Sequence, residues 1–369
     1  MILHFVTDEK FTDYAIKQFS APEMESEFVL IPSNWNPGCE VKHNSACRVI
    51  RQGSPEFKEL LSRLGNYSAI VLHGMHWGGW QTPILKSVPD HVKVAWVFWG
   101  GDLYGRAELN NRFLAPLSKI LNNIHMRGKK IDSRWQIPYE LFKRIDYILT
   151  DEKEEFEFAK SYIGTDVKFL PYNYYTLQET LGECYDLQVN GDNIFLGNSA
   201  TVTNNFFEAI LRLRLVKKSR QKVIVPLSYG APWVKNTVLK LGNWILGSSF
   251  CPLVDFLPRD EYNKIMLSCG TMVMNHWNPQ AQGNMITGLW LGMKLCLSEK
   301  SMSYAFFKRM GLLVYSVERD LKWYKSNVFA PMGQEDIMYN RNILIKYYGE
   351  EQMMENVKNI VKELNLSKK

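Results

Sequence analysis

Short apolar runs alternate with amphipathic segments along the first half of the chain. Runs of this length that are apolar almost throughout are typical of strands with both faces covered. They lie at residues 2–6, 28–31, 46–50, 69–72, 92–98, 147–150 and 167–170. Helical patterns lie between several of them, as at 54–64 and 152–162. Strands that alternate with helices predict βαβ units and a parallel, doubly wound sheet.

A second series of the same kind follows a connector at residues 171–188. Its predicted strands are 193–196, 223–225, 251–254, 271–274 and 294–297, and its predicted helices are 204–215, 233–241, 260–268 and 284–291. A last helix is predicted over 350–364. We therefore predict an α/β protein with two doubly wound, Rossmann-like domains facing a cleft. Their predicted boundaries are 1–175 and 191–347, with a C-terminal helix at 348–369.

The composition limits which classes of protein the chain can belong to, but it does not determine the function. The 369 residues are 46% hydrophobic and 22% charged, as in a globular protein of about two domains. Lys and Arg number 44 against 38 Asp and Glu, and this net charge of +6 is too weak for a dedicated nucleic-acid binder. It suits anionic ligands or contact with an anionic membrane, as do the basic clusters at 127–134 and 217–222, although such clusters are often only solvated faces. No apolar stretch approaches the ~18 residues of a membrane span.

Several common signatures are missing from the sequence. It contains no G-x-G-x-x-G, no P-loop, no G-x-S-x-G elbow, no H-E-x-x-H, no C-x-x-C pair and no Asp-x-Asp. Parallel α/β proteins without these motifs include transferases that bind a nucleotide diphosphate without metal. Such proteins use backbone N–H groups and a helix N-terminus, where the helix dipole favours anions.

Two polar turns in the second half suit a diphosphate. The first follows strand 193–196 and contains Gly197, Asn198, Ser199 and Thr201. Gly197 permits close backbone approach, the others supply small donors, and Thr203 or Asn204 can cap the following helix. An ordinary capped turn without a ligand is the alternative.

The second polar turn precedes helix 284–291. Gly283 at the helix start lets a phosphate or sugar approach the first N–H groups. Gln280, Gln282 and Asn284 offer uncharged hydrogen bonds, and His276 lies just upstream. A solvated turn with a structural histidine is the alternative here.

Aromatic and titratable residues follow other strands. Tyr229 and Phe256 can stack on a base, or they can be core aromatics. In the first domain, His73 and His76 flank a Gly-rich turn, and either can be a general base because a histidine pKa lies near neutral pH. Asp102, in a turn rich in Trp and Gly, can be a base, a sugar ligand or a helix cap.

Together these turns resemble those of the family-56 glycosyltransferases, bacterial 4-acetamidofucosyltransferases of enterobacterial common antigen synthesis. The matching residues, in family order between about 68 and 300, are Leu72-His73-Gly74, Phe98-Trp99-Gly100-Gly101-Asp102-Leu103-Tyr104, Leu196-Gly197-Asn198-Ser199 with Asn204, Val225-Pro226-Leu227 with Tyr229, Gln280, Gly283 and Gly292. One departure is Val97, where the family pattern leads us to expect a histidine.

The resemblance implies the two-domain GT-B fold and a metal-independent transferase. It implies a dTDP-activated 4-acetamido-4,6-dideoxygalactose, or a related nucleotide sugar, as donor. The acceptor is then a glycan on undecaprenyl diphosphate at the cytoplasmic face of the membrane, where the protein is peripheral. The second domain would bind the nucleotide. If the mechanism inverts the anomeric centre, we expect Asp102, His76 or His73, in that order, to be the base on the acceptor.

Two other classes fit the same residues. A nucleotide-sugar epimerase on paired doubly wound domains binds the same donor and needs no lipid acceptor. A non-catalytic glycan-binding protein would use the Trp-rich turns to stack on sugars and would not bind a nucleotide.

Overall fold

The chain folds into two compact units, each with its own parallel sheet. The computed structural model describes residues 1–9, 11–32, 47–75, 79–109, 111–129, 136–164, 166–218, 220–324 and 326–366. Unit 1 comprises Met1–Ala107, Ile131–Thr176 and Glu350–Lys369, and unit 2 comprises Glu108–Lys130 and Leu177–Gly349. Residues 108–130, which the sequence analysis placed in the first domain, therefore pack with unit 2, and the C-terminal helix packs with unit 1.

Unit 1 contains a seven-stranded sheet in the order β3-β2-β1-β4-β5-β6-β7. Its strands are β1 Ile2–Val6, β2 Ser26–Leu30, β3 Arg48–Val49, β4 Ala69–His73, β5 Lys93–Val97, β6 Tyr147–Thr150 and β7 Lys168–Pro171. Strands β1, β4 and β5 are buried over their whole length, which explains their continuous apolar sequences.

The helices of unit 1 connect these strands. They are α1 Thr12–Phe19, α2 Pro55–Ser62, α3 Gln81–Ser87, α4 Gly101–Tyr104, α6 Lys153–Ile163 and α14 Glu350–Asn365. Helix α14 buries Met353, Val357, Ile360 and Leu364, an i, i+3 or i+4 series that forms one apolar stripe. Three of these residues join the core of unit 1 beside Ile2.

Unit 2 contains a six-stranded sheet in the order β10-β9-β8-β11-β12-β13. Its strands are β8 Asn193–Leu196, β9 Val223–Pro226, β10 Phe250–Leu253, β11 Cys269–Met274, β12 Lys294–Leu297 and β13 Tyr315–Ser316. The sequence analysis missed β13, because two residues are too short to produce a hydrophobic pattern.

The helices of unit 2 are arranged around two core clusters. They are α5 Pro116–Met126, α7 Leu177–Leu181, α8 Phe206–Val216, α9 Pro232–Leu246, α10 Arg259–Leu267, α11 Gln282–Leu291, α12 Met302–Met310 and α13 Gln334–Tyr348. Short 3-10 helices in the two units are Pro22–Met24, Leu64–Asn66, Ala107–Leu109, Tyr139–Arg144, Gly182–Cys184, Val202–Asn204, Gly247–Ser249 and Ser326–Phe329.

The predicted α/β class with two Rossmann-like domains is confirmed. All strand pairs in both sheets are parallel in the described residues. In each sheet the order reverses once, between β1 and β4 in unit 1 and between β8 and β11 in unit 2. Ligands of open α/β sheets bind beyond the carboxyl ends of the strands at such a switch point. Among the described helices, none is both long and apolar enough to cross a bilayer.

Candidate functional site

The turn after β8 lies at the switch point of unit 2 and is built around Gly197. This glycine has φ +69°, and a Cβ there would lie 2.5 Å from Phe206 Cε1 and 3.1 Å from Asn204 Oδ1. Only glycine fits such a left-handed, crowded position without displacing the turn. The backbone of the turn is therefore held close against the first residue of α8.

Asn204 organises this turn with its side-chain amide. Its Nδ2 donates to the Ser199 carbonyl oxygen at 2.9 Å and to Thr201 Oγ1 at 2.8 Å. Ser199 Oγ and Thr201 Oγ1 are 3.2 Å apart. The suggestion that Thr203 or Asn204 caps α8 is wrong, because the cap position is occupied by Asn205 in a left-handed conformation. Asn204 instead fixes the loop, since its side chain reaches back toward Ser199.

The turn after β11 leads to the N-terminus of α11. Ala281 at the cap position has φ 58°, and no side chain caps this helix in the part of the chain that the structure describes. A Cβ on Gly283 would find only Thr180 Cγ2, at 4.0 Å, so space is open beside the first turn. The first N–H groups of a helix lack intrahelical partners and carry positive dipole charge. This N-terminus can therefore accept an anion.

The two turns come together through Thr203 and Gln280. Thr203 Oγ1 donates to Gln280 Oε1 at 3.4 Å. Within the described residues, three buried side-chain atoms around them have no hydrogen-bond partner: Gln280 Nε2, Asn198 Oδ1 and Asn204 Oδ1. Buried polar atoms in native proteins are nearly always paired, and an unpaired one costs about 1–3 kcal/mol. A ligand with both phosphate and hydroxyl groups can satisfy this set.

His276 is buried beside this turn in a neutral state. Burial lowers its pKa to about 4, although a hydrogen bond of Nδ1 to the Asn278 carbonyl oxygen, at 2.9 Å, opposes the shift. Its Nε2 is buried and has no partner among the described residues. The ring can therefore accept a hydrogen bond from a hydroxyl, but it does not offer a positive charge to a phosphate at neutral pH.

The remaining predicted residues of unit 2 divide into two groups. Tyr229 and Phe256 are exposed, so both rings are free to stack on a planar ligand. Gln282 and Asn284 instead contact the protein: Gln282 Nε2 lies 3.4 Å from the Tyr348 hydroxyl, and Asn284 Nδ2 lies 2.9 Å from the Tyr262 hydroxyl. These two amides position α11 against its neighbours.

In unit 1, His73 belongs to a buried network at the end of β4. Its Nε2 lies 3.1 Å from His4 Nδ1, and its Nδ1 lies 2.9 Å from the Tyr174 hydroxyl. Trp99 Nε1 donates to the same hydroxyl at 2.8 Å. Burial lowers the pKa of His73 to about 3. Because both ring nitrogens are engaged and the ring is buried, this geometry is unsuited to a base acting on an acceptor hydroxyl.

Asp102 lies in the first turn of α4, directly after the end of β5. Its Oδ2 accepts hydrogen bonds from Trp96 Nε1 at 2.8 Å and from the Trp99 backbone N–H at 3.2 Å. The carboxylate therefore fixes the Trp- and Gly-rich turn and is itself held in one orientation. His76 lies outside the described residues.

Sequence reasoning missed Glu155, a buried carboxyl group near the same turn. Its Oε2 accepts from Thr150 Oγ1 at 2.7 Å and its Oε1 from the Tyr104 hydroxyl at 3.0 Å. Burial raises the pKa of Glu155 to about 8. Glu155 lies on the first turn of α6 amid other acidic residues, so its sequence resembles an ordinary solvated helix start. No local signal distinguishes it.

Asn205 is a second residue that the pattern analysis did not single out. Its Oδ1 accepts from the Ala115 backbone N–H at 2.8 Å, and its Nδ2 donates to the carbonyl oxygens of Phe113 and Asn275. This amide therefore ties α5 to the end of β11. It explains why residues 108–130 belong to unit 2. A polar residue with φ 50° at a helix start is a weak signal, visible only in the backbone.

Comparisons with known proteins reveal the fold. No protein-family model matches the chain, and no curated protein matches it in sequence. Solved structures match over almost the whole length. A glycosyltransferase from Rickettsia africae has a TM-score of 0.62 at 13% identity and covers 98% of each chain. A sucrose-phosphate synthase from Thermosynechococcus elongatus has a TM-score of 0.60 at 9% identity, again over 98% of each chain.

The lipopolysaccharide outer core galactosyltransferase WaaB is another such neighbour. It has a TM-score of 0.61 at 8% identity, over 98% of this chain and 99% of its own. The chain has the GT-B fold. At these identities the likeness establishes the architecture, and the chemistry has to be argued from the site.

Proposed function

We propose that the chain is a glycosyltransferase that moves a sugar from a nucleotide-sugar donor to a glycan acceptor. The observation that carries this proposal is the switch point of unit 2. There Gln280 Nε2 and Asn204 Oδ1 are buried without partners among the described residues, beside the open N-terminus of α11. A diphosphate supplies anionic acceptors and a sugar supplies hydroxyl donors, so a nucleotide sugar complements both kinds of atom.

The chemistry follows from this arrangement. Bond cleavage leaves charge on the nucleotide diphosphate, and the α11 N-terminus and the Gln280 amide can stabilise that charge. Tyr229 and Phe256 are exposed and are proposed to contact the base. In unit 1 we propose Asp102 as the base on the acceptor, with the Trp96 and Trp99 N–H groups holding its orientation. His73 is proposed to position Tyr174 rather than to take a proton.

The finer assignment rests on the sequence resemblance to family 56. On that basis the donor is a dTDP-linked 4-acetamido-4,6-dideoxygalactose or a related sugar, and the reaction needs no metal. The acceptor is a glycan on undecaprenyl diphosphate, and the protein is peripheral on the cytoplasmic face of a bacterial membrane. The structural neighbours carry the broader proposal of glycosyl transfer and leave this assignment to experiment.

A thermal-shift panel with dTDP, UDP, GDP, CMP and NAD tests nucleotide binding. A ligand at 100 times its Kd stabilises by about 2.7 kcal/mol, which raises the midpoint by several degrees. A selective shift with dTDP supports the family assignment, and a shift with UDP or GDP keeps the transferase and changes the donor. No shift with any nucleotide contradicts the proposal and favours the glycan-binding protein. Isomerised donor without acceptor identifies an epimerase.

A matched pair of glycine variants locates the site. Gly283→Leu places a side chain in the open space beside the α11 N-terminus, where the nearest atom to the new Cβ is 4.0 Å away. We expect the folded protein to persist and the nucleotide shift to disappear. Gly333→Leu is the control, because Gly333 is the exposed cap residue of α13 in the same unit. Equal nucleotide shifts in both variants would place the diphosphate elsewhere.

A further inference from the structure

Three helices form one side of unit 2 and share a core. Helices α5, α8 and α9 pack on the sheet through inner residues such as Leu121, Ile210, Leu213, Val234 and Val238. Ser118 Oγ of α5 donates to Glu208 Oε2 of α8 at 2.6 Å. His125 of α5 stacks on Trp233 of α9, with ring centroids 4.4 Å apart. The three helices therefore form one continuous surface.

The outer side of these helices is unusually apolar for a solvated surface. Five large apolar residues are between 46% and 82% exposed: Ile120, Ile124, Leu211, Leu215 and Trp244. The two on α5 and the two on α8 are each four residues apart, so each pair lies on one outward stripe. Grouped exposed apolar residues of this kind mark interaction sites.

The same surface carries a strongly one-sided charge. Residues 116–129, 206–218 and 232–246 contain nine Lys or Arg residues and a single carboxylate, Glu208. That carboxylate is already bonded to Ser118. Seven of the nine basic residues are Lys119, Arg127, Lys129, Arg214, Lys217, Lys218 and Lys240, and the other two, Arg212 and Lys235, donate to the carbonyl oxygens of Val317 and Val254. A chain with a net charge of only +6 therefore concentrates its excess of positive charge here.

The segment 317–321 lies beside α8. Arg212 Nη1 donates to the Val317 carbonyl oxygen at 3.0 Å and lies 3.4 Å from that of Leu321. This contact holds the 317–321 segment against α8. Trp323 and Tyr324 follow directly and are both exposed.

We propose that this outer surface of α5, α8 and α9 docks on a bilayer that contains anionic phospholipid. Trp, Ile and Leu side chains enter the boundary between headgroups and acyl chains, and the Lys and Arg residues meet the lipid phosphates. A nucleic acid would use the cations but would leave the aliphatic side chains in water. The inference deepens the membrane contact included in the proposed function by naming the surface that makes it. Part of the basic cluster in the sequence, at 130–135, lies outside the described residues.

Vesicle flotation tests the surface without the transfer reaction. The full chain is mixed at low salt with vesicles of phosphatidylcholine and phosphatidylglycerol, and with vesicles of phosphatidylcholine alone. We expect flotation only with the anionic vesicles. The double variant Ile124→Glu, Leu215→Glu adds two carboxylates at exposed positions, so it should fold normally and bind more than about tenfold more weakly. Ile345→Glu is the control, because Ile345 is an exposed residue of α13, which packs on the other core cluster, and should float like wild type.

A second double variant separates charge from apolar insertion. Arg127→Glu with Lys218→Glu should reduce binding at low salt, while the remaining binding becomes less sensitive to salt. No flotation of wild type overturns the proposal, as does unchanged flotation of the Ile124→Glu, Leu215→Glu variant. A wild-type dimer that this variant abolishes makes the surface a self-association interface and also overturns it. None of these results bears on nucleotide binding, which the thermal-shift panel measures.

Discussion

At the carboxyl-terminal edges of the two sheets, the predicted site residues differ in their hydrogen bonding. In unit 1 the predicted site residues bond to their own unit: both ring nitrogens of His73 are engaged, and Asp102 holds Trp96 and Trp99. In unit 2, Gln280 and Asn204 each keep a buried atom without a partner in the described residues. Both edges lie at a switch point of a parallel sheet.

The difference bears on where a bound ligand contributes to stability. An edge whose polar groups pair with one another is stable without a ligand and can position a catalytic group firmly. An edge with unpaired buried groups carries a free-energy cost that a complementary ligand removes. We therefore expect ligand binding to stabilise unit 2 directly, whereas the side chains of His73 and Asp102 already have hydrogen-bond partners within unit 1.

Acidification should have the largest effect on the free energy of unfolding. The loss of stability should occur mainly in unit 1. Burial lowers the pKa of His4, His73 and His276, two of which lie in unit 1. A histidine whose folded pKa is depressed stays neutral while the unfolded chain takes up a proton. Stability is therefore complete above about pH 6.5 and falls as the pH drops toward the folded values. Between pH 7 and 5 the loss is about 2 kcal/mol each for His73 and His276, whose folded pKa values are about 3 and about 4.

Urea unfolding at pH 7 and pH 5 measures this loss, and limited proteolysis at pH 5 shows where it occurs. We expect the first cuts in unit 1. First cuts in unit 2 would contradict the expectation that protonation of buried histidines destabilises unit 1 more than unit 2.

A substitution at Gly197 should have the next largest effect on the free energy of unfolding. Gly197→Ala places a Cβ 2.5 Å from the ring of the buried Phe206 at a residue with φ +69°. Overpacking and backbone strain together should cost about 3 kcal/mol in the free energy of unfolding. Gly53→Ala is the control, because Gly53 has φ +79° and nothing within 4 Å of the new Cβ. It should lose only about 1 kcal/mol. Equal losses would show that the turn is not tightly packed.

The Asp102→Asn variant tests whether Asp102, in the turn that follows β5, acts as a base. Asn keeps an oxygen that can accept from Trp96 Nε1 but cannot take a proton from an acceptor. We expect kcat to fall by more than about 100-fold, with the Tm and the nucleotide shift close to those of wild type. Asp102→Ala is the companion, because it removes the hydrogen bonds as well and should also lower the Tm. If Asp102→Asn keeps kcat within a few-fold of wild type, Asp102 is purely structural and His76 becomes the leading base.

The sequence predicted elements whose information is local. Strands such as 2–6, 147–150 and 193–196 match the structure residue for residue, because a run that is buried on both faces is apolar at most positions. Gly197 was identifiable as a position of close backbone approach, since a glycine between a strand and a helix often adopts a left-handed conformation. The sequence did not reveal which residues each side chain contacts.

Tertiary contacts account for the features that the sequence analysis did not predict. His4 reads as one polar residue in an apolar strand, and only the pairing of β1 with β4 reveals His73 as its partner. The segment 108–130 reads as part of the first domain by position along the chain. Its attachment to unit 2 depends on Asn205 and Glu208, which are about 90 residues away in sequence. Periodicity contains no information about such contacts.

Glu155 provides the sharpest test of the hydrogen bonds around the turn that follows β5. Burial raises its folded pKa to about 8, so the carboxyl stays protonated in the folded protein at neutral pH while the unfolded chain ionises above its ordinary pKa. Stability from this group is therefore complete at low pH and is lost as the pH rises toward 8.

Glu155→Gln keeps groups that can bond to Thr150 and Tyr104 but does not titrate. We expect its stability relative to wild type to rise by about 3 kcal/mol between pH 5 and 8. Urea midpoints of the two proteins at both pH values measure this, and Glu157→Gln on the exposed side of α6 is the control that should show no such change. A constant difference between Glu155→Gln and wild type would mean that Glu155 is ionised in the folded protein and that the edge of unit 1 contains a buried charge.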